Sequence, residues 1–197
     1  MSKRRLDGEK TKLHIAEKAT ELFSQKGYSA TSIEDICQAT GASKGSLYYH
    51  FKNKEQLFLF LLEKQYQEFA WLWQQKEKEY STSIEKLYGL GAFIIDDFLS
   101  HPLKRAGEEF SGSQLADPAI MDQVMEILGS TYTLYIALFQ EGMENGEFAK
   151  DDPTELAMIY EGLLNGLISV GLQFEEERLL SLMKRGIDVM LHGIVAR

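Results

Sequence analysis

Residues 31–57 read "TSIEDICQATGASKGSLYYHFKNKEQL", and within them lie three helix starts, one glycine turn and a stretch without acids. Thr31, with Glu34 three residues on, has the pattern of a capping box, in which each side chain satisfies the other's exposed backbone N–H. A helix starts there with Ile33, Ile36 and Cys37 turned inward, and it ends in "ATGAS", where Gly41 can take left-handed backbone. Ser43 then caps a second short helix, "KGSLYYHF". Asn53 with Gln56 repeats the capping logic and opens a long helix at Lys54. Two short helices joined by a tight turn and packed on a preceding helix are the parts of a helix-turn-helix.

The preceding helix is legible in "KTKLHIAEKATELFSQKGYS", where Ile15, Ala16, Ala19, Leu22 and Phe23 recur at helical spacing and Gly27 supplies the stop. At about 100° per residue, Leu47, Tyr48 and Phe51 share one face of the second short helix, while Gly45, Ser46 and Tyr49 point the other way. A helix entering the major groove needs small residues at its start, because its first turn must come close to base edges. Lys44 is placed to reach a guanine edge or a phosphate, and Tyr49 and His50 to meet backbone phosphates. Lys54, at the start of the long helix, adds a charge next to free N–H donors. The expected DNA-contacting set is Thr31, Ser32, Ser43, Lys44, Gly45, Ser46, Tyr48, Tyr49, His50 and Lys54.

Charge is divided to match. The formal net charge is −9, yet residues 1–54 hold 10 Lys+Arg against 6 Asp+Glu, and residues 55–197 hold 11 against 24. The acidity belongs to the C-terminal part, and Ile36 to Lys54 contains no acid at all. Lys3, Arg4, Arg5, Lys10 and Lys12 offer further contacts along a duplex. The structural alternatives are an αα-corner that merely packs or a basic patch that faces solvent, and against them stands the coincidence of cap, turn, outward face and charge gap.

Beyond Lys54 the signals stay helical. Further helices read from about 82–99, 102–110, 118–144, 153–173 and 175–195, separated by "SHP", "SGSQLADP" and "ENGEFAKDDP". The expected fold is all-α with about nine helices: a helix-turn-helix unit at 1–53, then a helical effector and dimerisation domain at 54–197. No apolar run approaches the roughly 20 residues that span a bilayer, and "MSKRRLDGEK" is not a secretion signal, so a cytoplasmic protein without membrane contact is expected. Cys37 falls at an apolar helical position and reads as a small buried hydrophobe. The histidines are scattered, and HExxH, GxSxG and Walker patterns do not occur. No catalysis, metal or cofactor is expected.

Gly162, Gly166 and Ser169 form a stripe of small residues on one helix, and Gly186 and Gly193 repeat it on the last. Such stripes let helices approach closely. With Leu163, Leu167, Val170, Leu182, Met183, Val189 and Met190 beside them, they predict a two-fold four-helix interface, with packing inside one chain as the alternative.

Residues 31–57, with "AEKATELFSQKGYSATS" upstream, resemble the signature of the TetR family of transcriptional regulators. The departures are mild: Cys37 stands where the family often has Ala, and Ala42 where it often has Val. The resemblance implies a three-helix DNA-binding unit, a helical ligand domain, and a homodimer built on the last two long helices. A looser likeness to the QacR-type branch runs through "SKGSLYYHFKNKEQLFLFLLE", "HPL" and "LFQEGMENGEF". Gln65, Tyr66, Phe98 and Leu128 stand where that branch places acids, so its preference for cations is not carried over. The resemblance also implies which aromatics surround an effector: Phe69, Trp73, Phe98, Phe110, Tyr132 and Tyr135. Asn165 joins them because it interrupts the apolar "GLLNGLISVG" and, if buried, needs a hydrogen-bond partner that a ligand or a backbone carbonyl can supply.

The expectation is a regulator, most simply a repressor released from a near-palindromic double-stranded operator by a small apolar or aromatic effector. A helical protein–protein scaffold without DNA binding is the rival, and it predicts no salt-sensitive binding to duplex DNA.

Overall fold

The structure, a computed structural model, describes residues 3–114, 118–171 and 173–194. Its elements are α1 (Lys3–Lys26), α2 (Ile33–Thr40), α3 (Lys44–His50), α4 (Lys54–Lys76), α5 (Ser83–Ser100), α6 (Lys104–Gln114), α7 (Pro118–Glu144), α8 (Pro153–Gly171) and α9 (Glu176–Ile194), with a single 3-10 turn at Glu77–Glu79. The all-helical expectation holds. The prolines at the first positions of α7 and α8 stand where a missing N–H costs nothing.

Contacts gather the chain into two compact units, residues 1–65 with 101–127 and residues 66–100 with 128–197. These do not follow the 53/54 division expected from the sequence, because the core of the first unit needs α4. Leu57 and Phe58 are fully buried in it beside Ile15, Ala19, Phe23, Ile36 and Leu47. Phe58 also meets Phe23 edge-on at 5.1 Å between ring centroids. Helix α6 closes this core with Ala106 and Phe110.

The turn from α1 to α2 is held by backbone conformation and by one buried hydroxyl. Gly27 has φ +84 and ends α1 as expected. Thr31, which the capping-box reading placed at the surface, is buried, and its Oγ1 donates to the Gly27 carbonyl at 2.7 Å. The cap of α2 is therefore Ser32, one residue later: its Oγ accepts from the Asp35 N–H at 3.1 Å, and the Asp35 carboxylate accepts from the Ser32 N–H at 2.9 Å. Gly41 ends α2 at φ +69, Ser43 caps α3 by accepting from the Ser46 N–H at 3.1 Å, and Asn53 accepts from Gln56 N–H at 2.8 Å.

The second unit packs around Trp73, Leu87, Leu90, Phe139, Tyr160, Leu164 and Ile187. The buried Tyr160 hydroxyl donates to the Leu87 carbonyl at 2.7 Å, tying α8 to α5. Glu147 accepts from the N–H groups of Ser83 and Ile84 at 3.0 and 3.2 Å, so a distant carboxylate caps the start of α5. Gly186 brings α9 onto α8: a Cβ there would lie 2.8 Å from Leu167 Cδ1 and 3.1 Å from Leu163 Cδ1.

Candidate functional site

Helix α3 presents the surface that the sequence predicts to read DNA. Leu47 and Phe51 anchor it in the core, and Tyr49 projects from the opposite side, 83% exposed, with its ring edge-on to His50. Tyr48, placed on the inward face by the helical wheel, is instead half exposed. Gly45 lies open at the first turn with no bulk to hold a groove away.

The lysines of this unit are less free than their number suggests. Lys54, expected to face phosphate, turns inward: its Nζ donates to the carbonyls of Tyr28 and Thr31, each at 3.0 Å, and sits 4.2 Å from the centroid of the Tyr28 ring. It fastens the α1–α2 turn to the start of α4. Lys12 lies 4.2 Å over the Phe60 ring, and Lys26 pairs with Asp35 at 2.9 Å. Lys44 forms an ion pair with Glu34 across the helix-turn-helix, with both side chains exposed. That pair holds the Glu34 carboxyl below its usual range and the Lys44 ammonium above its own. Asp35 is held well below the carboxylate range by the Ser32 hydroxyl and N–H first, then by Lys26.

Of the expected contact set, then, Thr31 is buried, Lys54 is a structural donor, and the hydroxyls of Ser32 and Ser43 are occupied as caps. Gly45, Tyr48 and Tyr49 stay presented outward, with His50 and Ser46 partly exposed. Lys52 is exposed and makes no ion pair among the described residues; its place in the acid-free stretch was the signal for it. Of Lys3, Arg4 and Arg5 only the helical backbone is described, which continues α1 back to Lys3.

The candidate effector residues divide between the units. Phe69 and Trp73 are buried in the second unit against Phe93, at centroid distances of 4.9 and 5.8 Å. Tyr132 and Tyr135 meet edge-on at 6.3 Å, and Tyr135 meets Tyr160 at 5.4 Å. Phe98 packs on the same core. Phe110 does not join them: it fills the first unit, 4.9 Å from the Tyr28 ring and 4.8 Å from that of Phe58. Asn165 is exposed, which removes the premise that it must find a buried partner, and its amide donates to Glu161 Oε1 at 2.8 Å.

Glu161 is what sequence reasoning missed. Burial, then Glu161, then Asp97 push the Tyr66 phenol up to about 12. Burial and Glu161 also raise Tyr135. Asp97 is itself raised, by burial first, with Asp96 and Glu68 adding to it. The available signal was that Glu161 is the one acid of α8 beyond its first turn.

Helices α8 and α9 present an open apolar groove of about 530 Å³, lined by Gly162, Leu163, Gly166, Leu167, Val170, Phe174, Arg178 and Leu182. Val170 and Val189 are each 64% exposed. Gly162 and Gly166 have open space where a Cβ would stand, whereas Gly186 serves packing within the chain. Met183 is likewise buried, Leu163, Leu167 and Met190 lean partly on the core, and Ser169 is exposed. The environment of Gly193 lies outside the described residues.

Among the described residues no group of three or more His, Cys, Asp and Glu is arranged to hold a metal, and no helix is long and apolar enough to cross a membrane.

Residues 64–196 match the family model of the QacR-like protein C-terminal region, and residues 15–61 that of the bacterial regulatory proteins of the tetR family. The HTH-type transcriptional regulator QacR of Staphylococcus aureus (strain Mu50 / ATCC 700699) is 28% identical over 176 residues, 89% of this chain and 94% of that protein. A TetR-family regulator from Mesorhizobium loti MAFF303099 is similar in structure with a TM-score of 0.81, covering 96% of this chain and 98% of its own at 19% identity. The regulator FadR from Bacillus subtilis, solved in complex with stearoyl-CoA, has a TM-score of 0.75 at 20% identity, over 92% of this chain and 98% of its own.

Proposed function

The chain belongs to the TetR family of bacterial regulatory proteins, with a QacR-like C-terminal region, and from that premise we propose a cytoplasmic homodimeric repressor that a small apolar or aromatic effector releases from a near-palindromic operator. Its relatives are transcriptional regulators, not enzymes.

One observation carries the reading. Helix α3 is anchored from behind by Leu47 and Phe51, capped by Ser43, and leads with Gly45 on a face where Tyr49 stands almost fully exposed. An exposed tyrosine on a short helix serves folding poorly and suits contact with a sugar-phosphate backbone. The open α8–α9 groove supports a second copy of the chain as its cover. Two α3 helices in such a dimer would read successive major grooves about 34 to 36 Å apart.

The aromatic ring system of the second unit, Phe69, Trp73, Phe93, Tyr132 and Tyr135, supports an apolar or aromatic effector, with Tyr66 and Glu161 available for a polar end. An effector that lowers DNA affinity by some factor must itself be bound more weakly by that factor when DNA is present.

Footprinting the purified protein on the DNA upstream of its own gene tests the reading: a protected near-palindrome is expected, with affinity that falls steeply with salt. Absence of salt-sensitive duplex binding would leave the scaffold reading standing instead.

A further inference from the structure

The helix-turn-helix carries an acid where a phosphate-facing surface ought to have none. Glu34 lies in the first turn of α2, and its side chain is 64% exposed. Asp35 beside it is spent on the cap of α2 and on Lys26. Glu34 has a single side-chain partner among the described residues, Lys44, ten positions on, at the first residue of the recognition helix. The strongest candidate base contact of α3 is thus tied to a carboxylate before DNA arrives.

We infer that Glu34 is a specificity-determining residue: paired with Lys44, it makes contact with phosphate alone costly and so widens the gap between operator and unrelated DNA. This deepens the proposed function and rests on it. An exposed ion pair is weak and exchanges readily, so Lys44 is restrained without being lost. For Lys44 to engage DNA, the pair opens and Glu34 is left unpaired against a polyanion. On unrelated sequence nothing offsets that repulsion, because Lys44 gains only a phosphate. On the operator, Lys44 gains a base edge with directed acceptors such as guanine O6 and N7, and the exposed carboxylate of Glu34 can accept from a cytosine or adenine amino group. A charge that lowers affinity everywhere but is compensated on one sequence raises the ratio between the two.

The experiment compares wild type, Glu34→Gln, Lys44→Ala and the double variant. Each is titrated by fluorescence anisotropy against two duplexes of equal length, one enriched from a random pool by the wild-type protein and one scrambled, at several salt concentrations. Glu34→Gln should bind the scrambled duplex at least about threefold tighter, with a salt slope steeper by about 0.9 as Lys44 takes a phosphate. Its affinity for the enriched duplex should change by less than about twofold, so the ratio of the two affinities falls. In the Lys44→Ala background the same substitution should gain much less on the scrambled duplex. An unchanged or larger ratio for Glu34→Gln overturns the inference, as does an equal gain with Lys44 absent, which would make Glu34 a diffuse charge. If wild type binds neither duplex in a salt-sensitive way, the DNA-binding reading itself fails, an outcome distinct from a salt-sensitive wild type that Glu34→Gln leaves unaltered.

Discussion

Lys54 illustrates how far a residue's role depends on what surrounds it. By type and position it is a phosphate contact; by geometry its ammonium satisfies two carbonyls of the α1–α2 turn and rests on an aromatic face. Removing the donor takes its partner from the Thr31 carbonyl, while the Tyr28 carbonyl keeps only the Thr31 N–H at 3.3 Å, and leaving one such acceptor unsatisfied costs about 1–3 kcal/mol. Lys54→Ala should therefore lower stability by that amount in urea denaturation, while the salt slope of DNA binding changes by less than the roughly 0.9 expected for a lost phosphate contact. Undiminished stability with a reduced slope would return Lys54 to the DNA surface. Lysine and arginine counts measure available charge, not presented charge, and here Lys12, Lys26, Lys44 and Lys54 are all engaged within the protein.

At the scale of elements, caps and turns were largely legible because they are local. Ser43, Asn53 and Gly41 act where their sequence pattern puts them. The start of α2 was misread by one residue because Thr31 with Glu34 and Ser32 with Asp35 both satisfy the same spacing. What decides between them is the burial of Thr31 against the Gly27 carbonyl, a contact set by the packing of the preceding turn and absent from any local pattern. Ser32→Ala should cost about 1 kcal/mol of stability through the lost cap, and Glu34→Ala much less, as chemical denaturation of the two variants would reveal. The reverse order would reinstate the Thr31 box. Phe110 and Asn165 follow the same logic: resemblance places the one and apolar sequence neighbours the other, and neither signal says which element a helix face meets, which here puts Phe110 in the first core and Asn165 at the surface.

For the whole molecule, the glycines of α8 and α9 separate two kinds of packing that composition alone runs together. Gly186 is filled by its own chain, with Leu163 and Leu167 against it, whereas Gly162 and Gly166 look into open space on the same groove. Gly166→Leu should leave the folded protomer intact and weaken self-association at least about tenfold, read by sedimentation equilibrium, since one overpacked contact costs about 1–3 kcal/mol. Gly186→Leu should instead lower the midpoint of thermal unfolding, with Leu167 standing 2.8 Å from where its Cβ would go. Unchanged association in Gly166→Leu would remove the groove from the proposed dimer interface. The acidity of the sequence beyond residue 54 fits this division, since the half that carries the apolar groove is not the half offered to a polyanion.

Helix α4 has a consequence for how this protein can be re-engineered or can diversify by recombination. Leu57, Phe58, Leu59 and Leu61 lie beyond the helix-turn-helix in sequence but complete its interior, and α6 with the start of α7 adds to it. The DNA reader is therefore interleaved with the sensor along the chain, and a crossover at residue 53 would sever a core instead of a linker. A functional chimera has to inherit residues 1–65 and 101–127 as one parent's pair, which makes a new sensor easier to acquire by point substitution than by exchange of modules.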